Sequence, residues 1–206
     1  TRVKIITPAT TEPVSLVTAR LQCKVDAEGS PPTHVDDPLL ELFTTAAREW
    51  VESYLGAIVA PTTVQTELDD FPEEDGDLTL ESGPVLDVQS ITYTDDNGDP
   101  QTVDEATYTL DTRTEPAVLR LLDGESWPTD VGTVNAGIKV NYVVGYSGDA
   151  DSPMVYPLPK SIKVAILLIL AHLYRNRENS TVVSLQTIPF GATALLGPLK
   201  RKMGFA

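Results

Sequence analysis

The fold is decided first by residues 36–56, which read DDPLLELFTTAAREWVESYLG. The two aspartates and the proline are typical of a helix start, because acidic side chains favour the helix N-terminus and proline fits the first turn. Gly56 is a natural terminator. Between these ends, apolar residues recur on a 3.6-residue period, at Leu39, Phe43, Ala46, Ala47, Trp50, Val51 and Tyr54. The stretch predicts a long amphipathic helix with this stripe against a core.

Three further helices are predicted outside this stretch. Ser15 is a good N-cap for a short helix that follows it. Pro159 precedes a helix from Lys160 to about Arg177, whose centre is apolar nearly all round and is therefore expected to be buried. Residues 192–202 form a short amphipathic segment interrupted at Gly197-Pro198. The longest apolar run, residues 164–171, is far below the roughly 18 residues that a membrane span needs, so no membrane association is expected.

Residues 62–157 have a different pattern, with a period of two. Val64, Thr66 and Leu68 alternate with polar neighbours, and strands are predicted at 85–94, 117–122 and 138–146. Asn97-Gly98 supplies the positive-φ residues that a tight hairpin needs. Turn signals every ten residues or so favour a small antiparallel sandwich or barrel.

The order of these elements predicts an α+β chain. A discontinuous helical bundle of about four helices is expected from residues 1–61 and 158–206, with an antiparallel β domain of residues 62–157 inserted in it. Insertion at a surface connection is physically easy when the ends of the insert lie close together. The expected helical-core residues are Phe43, Trp50, Tyr54, Leu167, Leu170 and His172, with Trp50 and Leu167 buried against each other's helices.

Charge separates the same two regions. The net charge is −15, and residues 62–157 hold 21 acidic and 3 basic residues, a net of −18. The rest of the chain holds 9 acidic and 12 basic residues, a net of +3. A strongly acidic surface repels phosphates, so sequence-specific DNA binding is excluded.

Catalytic chemistry has little support in the sequence. Cys23 is the single cysteine, so neither an intrachain disulfide nor a cysteine zinc site is available. Neither common phosphate-binding glycine loop is present, nor a Gly-x-Ser-x-Gly elbow. His172 lies in an apolar helix and is interpreted as a core or interface histidine. We expect no enzyme activity and no cofactor.

Calcium binding has more support in the sequence than catalysis does. Asp95, Asn97 and Asp99 alternate as in a calcium loop, but Pro100 and Ala106 stand where the turn glycine and the bidentate glutamate belong. The carboxylates Asp69, Asp70, Glu73, Glu74, Asp75 and Asp77 are a second group of oxygen donors. Solvated acidic loops are the favoured interpretation of both. The alternative function is an acidic β-domain binding module that recognises carbohydrate, calcium or a protein.

The helical segments resemble head–tail connector (adaptor) proteins of long-tailed phages and of phage-derived gene transfer agents. The resemblance rests on PVSL (13–16), DDPLL (36–40), AREWVE (47–52), LPK (158–160), ILL (166–168), AHLYRNRE (171–178), PFG (189–191) and ALL (194–196). Each segment is degenerate, and their order and spacing together carry the signal. They cover about half of the chain, and the β region resembles the insert of larger family members.

This resemblance implies a structural virion protein without catalytic residues. Such proteins form a dodecameric ring beneath the portal protein, extend the DNA channel and offer a docking surface to stopper or tail-completion proteins. DNA passes through the channel without sequence-specific binding. The expected location is the head–tail interface of the virion, after assembly in the host cytoplasm. The C-terminal segment of relatives engages the portal, so the portal-contact candidates are Pro189, Phe190, Leu195, Leu196, Lys200, Arg201 and Lys202.

Overall fold

Helices and antiparallel strands both form in this chain. The computed structural model describes residues 2–73, 76–132, 137–146, 156–177 and 190–200. The helices are α1 Leu16–Cys23, α2 Asp37–Leu55, α3 Lys160–Arg175 and α4 Phe190–Lys200. The strands are β1 Arg2–Thr7, β2 Thr62–Leu68, β3 Leu78–Leu80, β4 Val85–Thr94, β5 Pro100–Thr102, β6 Tyr108–Asp111, β7 Ala117–Leu121 and β8 Ile138–Val144. The α+β class expected from the sequence is confirmed.

The chain divides into two compact units. The β unit takes its described residues from Thr1–Thr10 and Ala60–Ser147 together with Tyr156. The helical unit takes its described residues from Thr11–Val59 and Pro157–Ala206. The sequence had assigned residues 1–10 to the helices, and here the structure corrects it. Residues 2–7 are extended and pair with β2, so this segment belongs to the β unit.

A five-stranded antiparallel sheet has the order β1-β2-β8-β4-β5. β8 lies at its centre, and every second residue of this strand is fully buried, as the period-two pattern requires: Ile138, Val140, Tyr142 and Val144. The Tyr142 hydroxyl is 2.9 Å from the hydroxyl of Thr66, which is also fully buried, so each satisfies the other.

A second sheet of three strands has the order β3-β7-β6. Leu78, Leu80 and Leu119 on its strands are buried. Trp127 stacks on Phe71 at a centroid distance of 5.2 Å and donates its indole N–H to the carbonyl of Gly76 at 3.0 Å. Buried aromatic area with a satisfied N–H stabilises this part of the β unit.

The buried side of helix α2 overlaps the predicted apolar stripe only at Ala47 and Val51. The buried residues are Leu40, Thr44, Ala47, Arg48, Val51 and Leu55. Phe43, Trp50 and Tyr54 are only half-buried, and Trp50 stacks on Tyr54 at 5.2 Å. The buried side is therefore rotated by about one residue, roughly 100°. This is possible because Arg48, polar in the sequence pattern, is neutralised by two glutamates.

Helix α3 is buried along one side, at Ile162, Ala165, Ile166, Ile169, Leu170 and Ala171. The sequence had predicted burial nearly all round. Leu167 and His172 are half-buried and Val164 is exposed. Trp50 and Leu167 are therefore less buried than the sequence predicted, although their helices, α2 and α3, do pack against each other. Leu170 is the expected core residue that the structure buries completely. Within the described part of the chain, no helix has the length and apolarity to cross a bilayer.

Candidate interaction surfaces

The C-terminal helix α4 carries the residues that the sequence proposed for a partner contact. Its Ala192 and Leu196 are fully buried, because α4 packs on α3 and α2 within the helical unit. Leu195 is half-buried and Lys200 is exposed. Pro189, Arg201 and Lys202 lie outside the described residues, as does the side chain of Phe190.

Burial divides these candidates by role. Leu196 anchors α4 to its own unit and has no surface left for another protein. Lys200 places its ammonium nitrogen 4.7 Å from the ring centroid of Tyr54, a cation–π contact that directs the end of α4 toward α2. Among the predicted contact residues, Leu195 and Lys200 are therefore the described ones on α4 that are accessible to a partner.

Two adjacent aspartates tie the helices of this unit together. Arg20 of α1 donates two hydrogen bonds to the carboxylate of Asp37, and this guanidinium lowers the Asp37 pKa. Asp36 accepts hydrogen bonds from the Tyr174 hydroxyl at 2.6 Å and from Arg177 at 2.8 Å, which lower the Asp36 pKa. The start of α2 is thus fixed to α1 on one side and to the end of α3 on the other.

The histidines and the cysteine are held in structural surroundings. His34 Nδ1 accepts the backbone N–H of Asp36 at 3.0 Å. His172 lies 3.4 Å from the side-chain nitrogen of Asn176. Burial raises the pKa of the Cys23 thiol, which disfavours the reactive thiolate. None of these contacts is a nucleophile–base pair.

The acidic hairpin that resembles a calcium loop is organised by its own backbone. One Asp95 carboxylate oxygen accepts the N–H groups of Asn97 and Asp99, both at 2.9 Å, and the other accepts the Gln101 side-chain amide at 2.9 Å. The Asp99 N–H and the Gln101 amide lower the Asp95 pKa. The carboxylate therefore shapes the turn, and its oxygens are already engaged.

The second acidic group is divided in the same way. Asp77 pairs with Arg120 at 2.7 Å, and Asp69, Asp70 and Glu73 are exposed. Glu74 and Asp75 lie outside the described residues. Over the ranges that the structure describes, no three His, Cys, Asp or Glu side chains gather as metal ligands.

Exposed apolar residues mark two surfaces that sequence reasoning missed. On β1 they are Val3, Ile5 and Ile6, and on α1 they are Val17 and Leu21, four residues apart on one helix side. The pair Ile5-Ile6 near the N-terminus was the available signal for β1. Such apolar residues at a surface indicate protein contacts when they are contiguous.

Comparison with known proteins gives a result at the level of fold. No family model and no curated protein matches the sequence. A chain in the structure described as the neck of an empty gene transfer agent (GTA) particle, computed with C6 symmetry, is 18% identical with a TM-score of 0.69. That match covers 97% of this chain and 95% of the other.

Two further solved structures agree. A chain in the virion of a native GTA particle is 17% identical, with a TM-score of 0.67 and coverage of 97% and 95%. A chain in the neck of a native GTA particle, computed with C12 symmetry, is 18% identical, with a TM-score of 0.66 and coverage of 97% and 94%. The chain thus shares its fold, over nearly its whole length, with components of gene transfer agent particles.

Proposed function

We propose that this chain is a structural protein of a phage-derived particle, an adaptor that forms a ring at the neck between head and tail. The observation that carries the proposal is the whole-length similarity to chains in neck structures, one of them computed with C12 symmetry. Both units contribute to that similarity, because the match spans 97% of the chain. The sequence resemblance, which covers only the helical segments, points to the same role.

The adaptor role assigns a partner to each part of the chain. Twelve copies surround the DNA channel beneath the portal protein, and stopper or tail-completion proteins dock on the opposite side. We assign the portal contact to α4, through Leu195 and Lys200. The net charge of −18 over residues 62–157 limits phosphate contacts, so DNA passes without being retained.

The polar groups of the chain fit a structural role better than a catalytic one. Asp36, Asp37, Asp95 and Asp111 each hold a turn or a helix in place through two or more hydrogen bonds. Groups whose lone pairs are occupied in this way stabilise a rigid subunit.

Deletion of the gene tests this proposal. Particles from the deletion strain are imaged by electron microscopy, with the intact chain supplied from a plasmid as the control. We expect DNA-filled heads without tails in the deletion strain and complete particles after complementation. Complete, tailed particles in the deletion strain contradict the adaptor role.

A further inference from the structure

Strand β1 presents an open edge of the five-stranded sheet. In the described ranges, β1 pairs with β2 alone. Val3 is 38% exposed, Ile5 57% and Ile6 45%. Val3 lies opposite Thr66 of β2, and Ile5 lies opposite Val64; both of these β2 residues are fully buried. Val3 and Ile5 are therefore on the face of the sheet that forms the core, but at an edge where nothing covers them in the described ranges. An open apolar edge of this kind is a site for another chain.

The charge of β1 is opposite to that of its unit. Arg2 and Lys4 are basic, while residues 62–157 hold 21 acidic and 3 basic residues. Arg113 and Arg120 are already paired with carboxylates of their own unit. Strand β1 is therefore a basic and apolar edge on an acidic unit.

The other edge of the same sheet is acidic. Strand β5 pairs with β4, and the exposed carboxylates beside it are Asp96, Asp99, Asp104 and Glu105. The N–H of Val103 donates to the carbonyl of Ile91, and the N–H of Asp95 donates to the carbonyl of Asp99. Because inward and outward backbone groups alternate along an antiparallel strand, the N–H and C=O of Thr102 point away from β4. Pro100 has no backbone N–H, so most of the interactions that this edge can offer a partner come from its charged side chains.

We propose that neighbouring copies of this chain contact each other through these two edges, with β1 of one copy against β5 and its acidic flanks on the next. The inference rests on the proposed ring. Two different and complementary patches on one subunit give a head-to-tail contact, which is the kind that closes into a ring. Opposite charges at the contact also offset the repulsion between acidic β units.

Cysteine cross-linking tests the contact directly. Ile5→Cys and Thr102→Cys chains are made separately in a Cys23→Ser background and assembled, alone and mixed, on tailless heads from the deletion strain. We expect disulfide-linked dimers from the mixture and none from either variant alone. Thr79→Cys, exposed on β3 of the same unit, is the matched control and stays unlinked when mixed with Ile5→Cys.

Charge exchange gives a second, independent readout. Lys4→Glu is expected to weaken assembly on the heads about tenfold at low salt, and much less at 1 M salt, where the Debye length is about 3 Å. Adding Asp99→Lys and Glu105→Lys to Lys4→Glu restores assembly. Lys160→Glu, an equal change of charge at the start of α3, leaves assembly unchanged.

The outcomes separate this inference from the function on which it rests. A ring at the neck without mixed cross-links overturns the edge contact and leaves the adaptor role standing. Cross-linking of Ile5→Cys with itself also overturns it, because that result means a symmetric pairing of β1 with β1. The absence of any ring at the neck refutes both.

Discussion

Replacement of Arg48 is expected to destabilise the helical unit, although the residue is polar and was not among the predicted core. Its guanidinium donates to Glu12 at 2.9 Å and to Glu52 at 2.6 Å. Glu12 also accepts the Thr45 hydroxyl, and Glu52 accepts the backbone N–H of Val59, each at 2.8 Å. One cation thus holds together the segment before α1, the middle of α2 and the loop after it.

The size of the expected loss of stability follows from how exposed Arg48 and its two glutamate partners are to water. The side chain of Arg48 is 11% exposed, that of Glu52 17% and that of Glu12 29%. Fully exposed ion pairs contribute about 0–1 kcal/mol, whereas removing one partner of a buried pair costs about 3–5 kcal/mol. This network lies between those limits, so we expect Arg48→Met to lower the free energy of unfolding by about 2–3 kcal/mol. Most of the loss comes from two half-buried carboxylates left without a cation.

Urea unfolding of the full chain, followed by the helical circular dichroism signal, measures this change. A triple variant, Glu12→Gln with Arg48→Met and Glu52→Gln, is the control, because it removes the stranded charges together with the cation. We expect it to recover at least half of the lost stability. If the free energy of unfolding of Arg48→Met lies within about 0.5 kcal/mol of that of the unchanged chain, the network is no stronger than a surface ion pair.

Four further outcomes are expected. Trp50→Ala costs about 1–2 kcal/mol and Leu40→Ala about 2–5 kcal/mol in thermal unfolding, because Trp50 is half-buried and Leu40 fully buried; equal losses contradict this placement. Asp37→Asn lowers stability at neutral pH, and the difference from the unchanged chain shrinks as pH falls below about 4. The reason is that folding lowers the pKa of Asp37, so its carboxylate stabilises the fold above the unfolded-state pKa and loses this effect as pH falls through the folded-state pKa. Gly145→Ala lowers the free energy of unfolding by at least about 2 kcal/mol, because φ is 121° and the added Cβ would lie 2.7 Å from the Ala60 carbonyl oxygen; an unchanged melting temperature excludes this strain. Leu195→Glu weakens co-sedimentation with the purified portal while leaving thermal stability nearly unchanged, whereas Leu196→Ala lowers stability.

Local patterns in the sequence predicted most of the elements. The period of 3.6 located α2, and Pro159 with the apolar run that follows it located α3. A tight turn at Asn97-Gly98 was also predicted, but residues 95–99 connect β4 to β5, and of the pair only Gly98 has a positive φ, 88°. The buried side of α2 was not predicted, because hydropathy counts Arg48 as a surface residue. Its neutralisation depends on Glu12, which lies 36 residues earlier in the chain and was invisible to a local pattern.

Strand β1 shows a second limit of prediction from local sequence patterns. Residues 2–7 are too few for a clear period, and their partner strand lies some 60 residues later. The order of strands in a sheet is set by such distant pairings, so the sequence did not reveal which strand has an open edge. The sequence analysis proposed α4 as a contact segment but did not separate the buried Leu196 from the accessible Leu195.

The proposed ring between head and tail can be observed in place. The measurement is a cryo-electron microscopy reconstruction of the neck of particles that carry this chain. We expect a ring of twelve copies in contact with the portal, with density for both the helical unit and the β unit in each copy. A complete neck in which this chain is absent, or is found elsewhere in the particle, contradicts it.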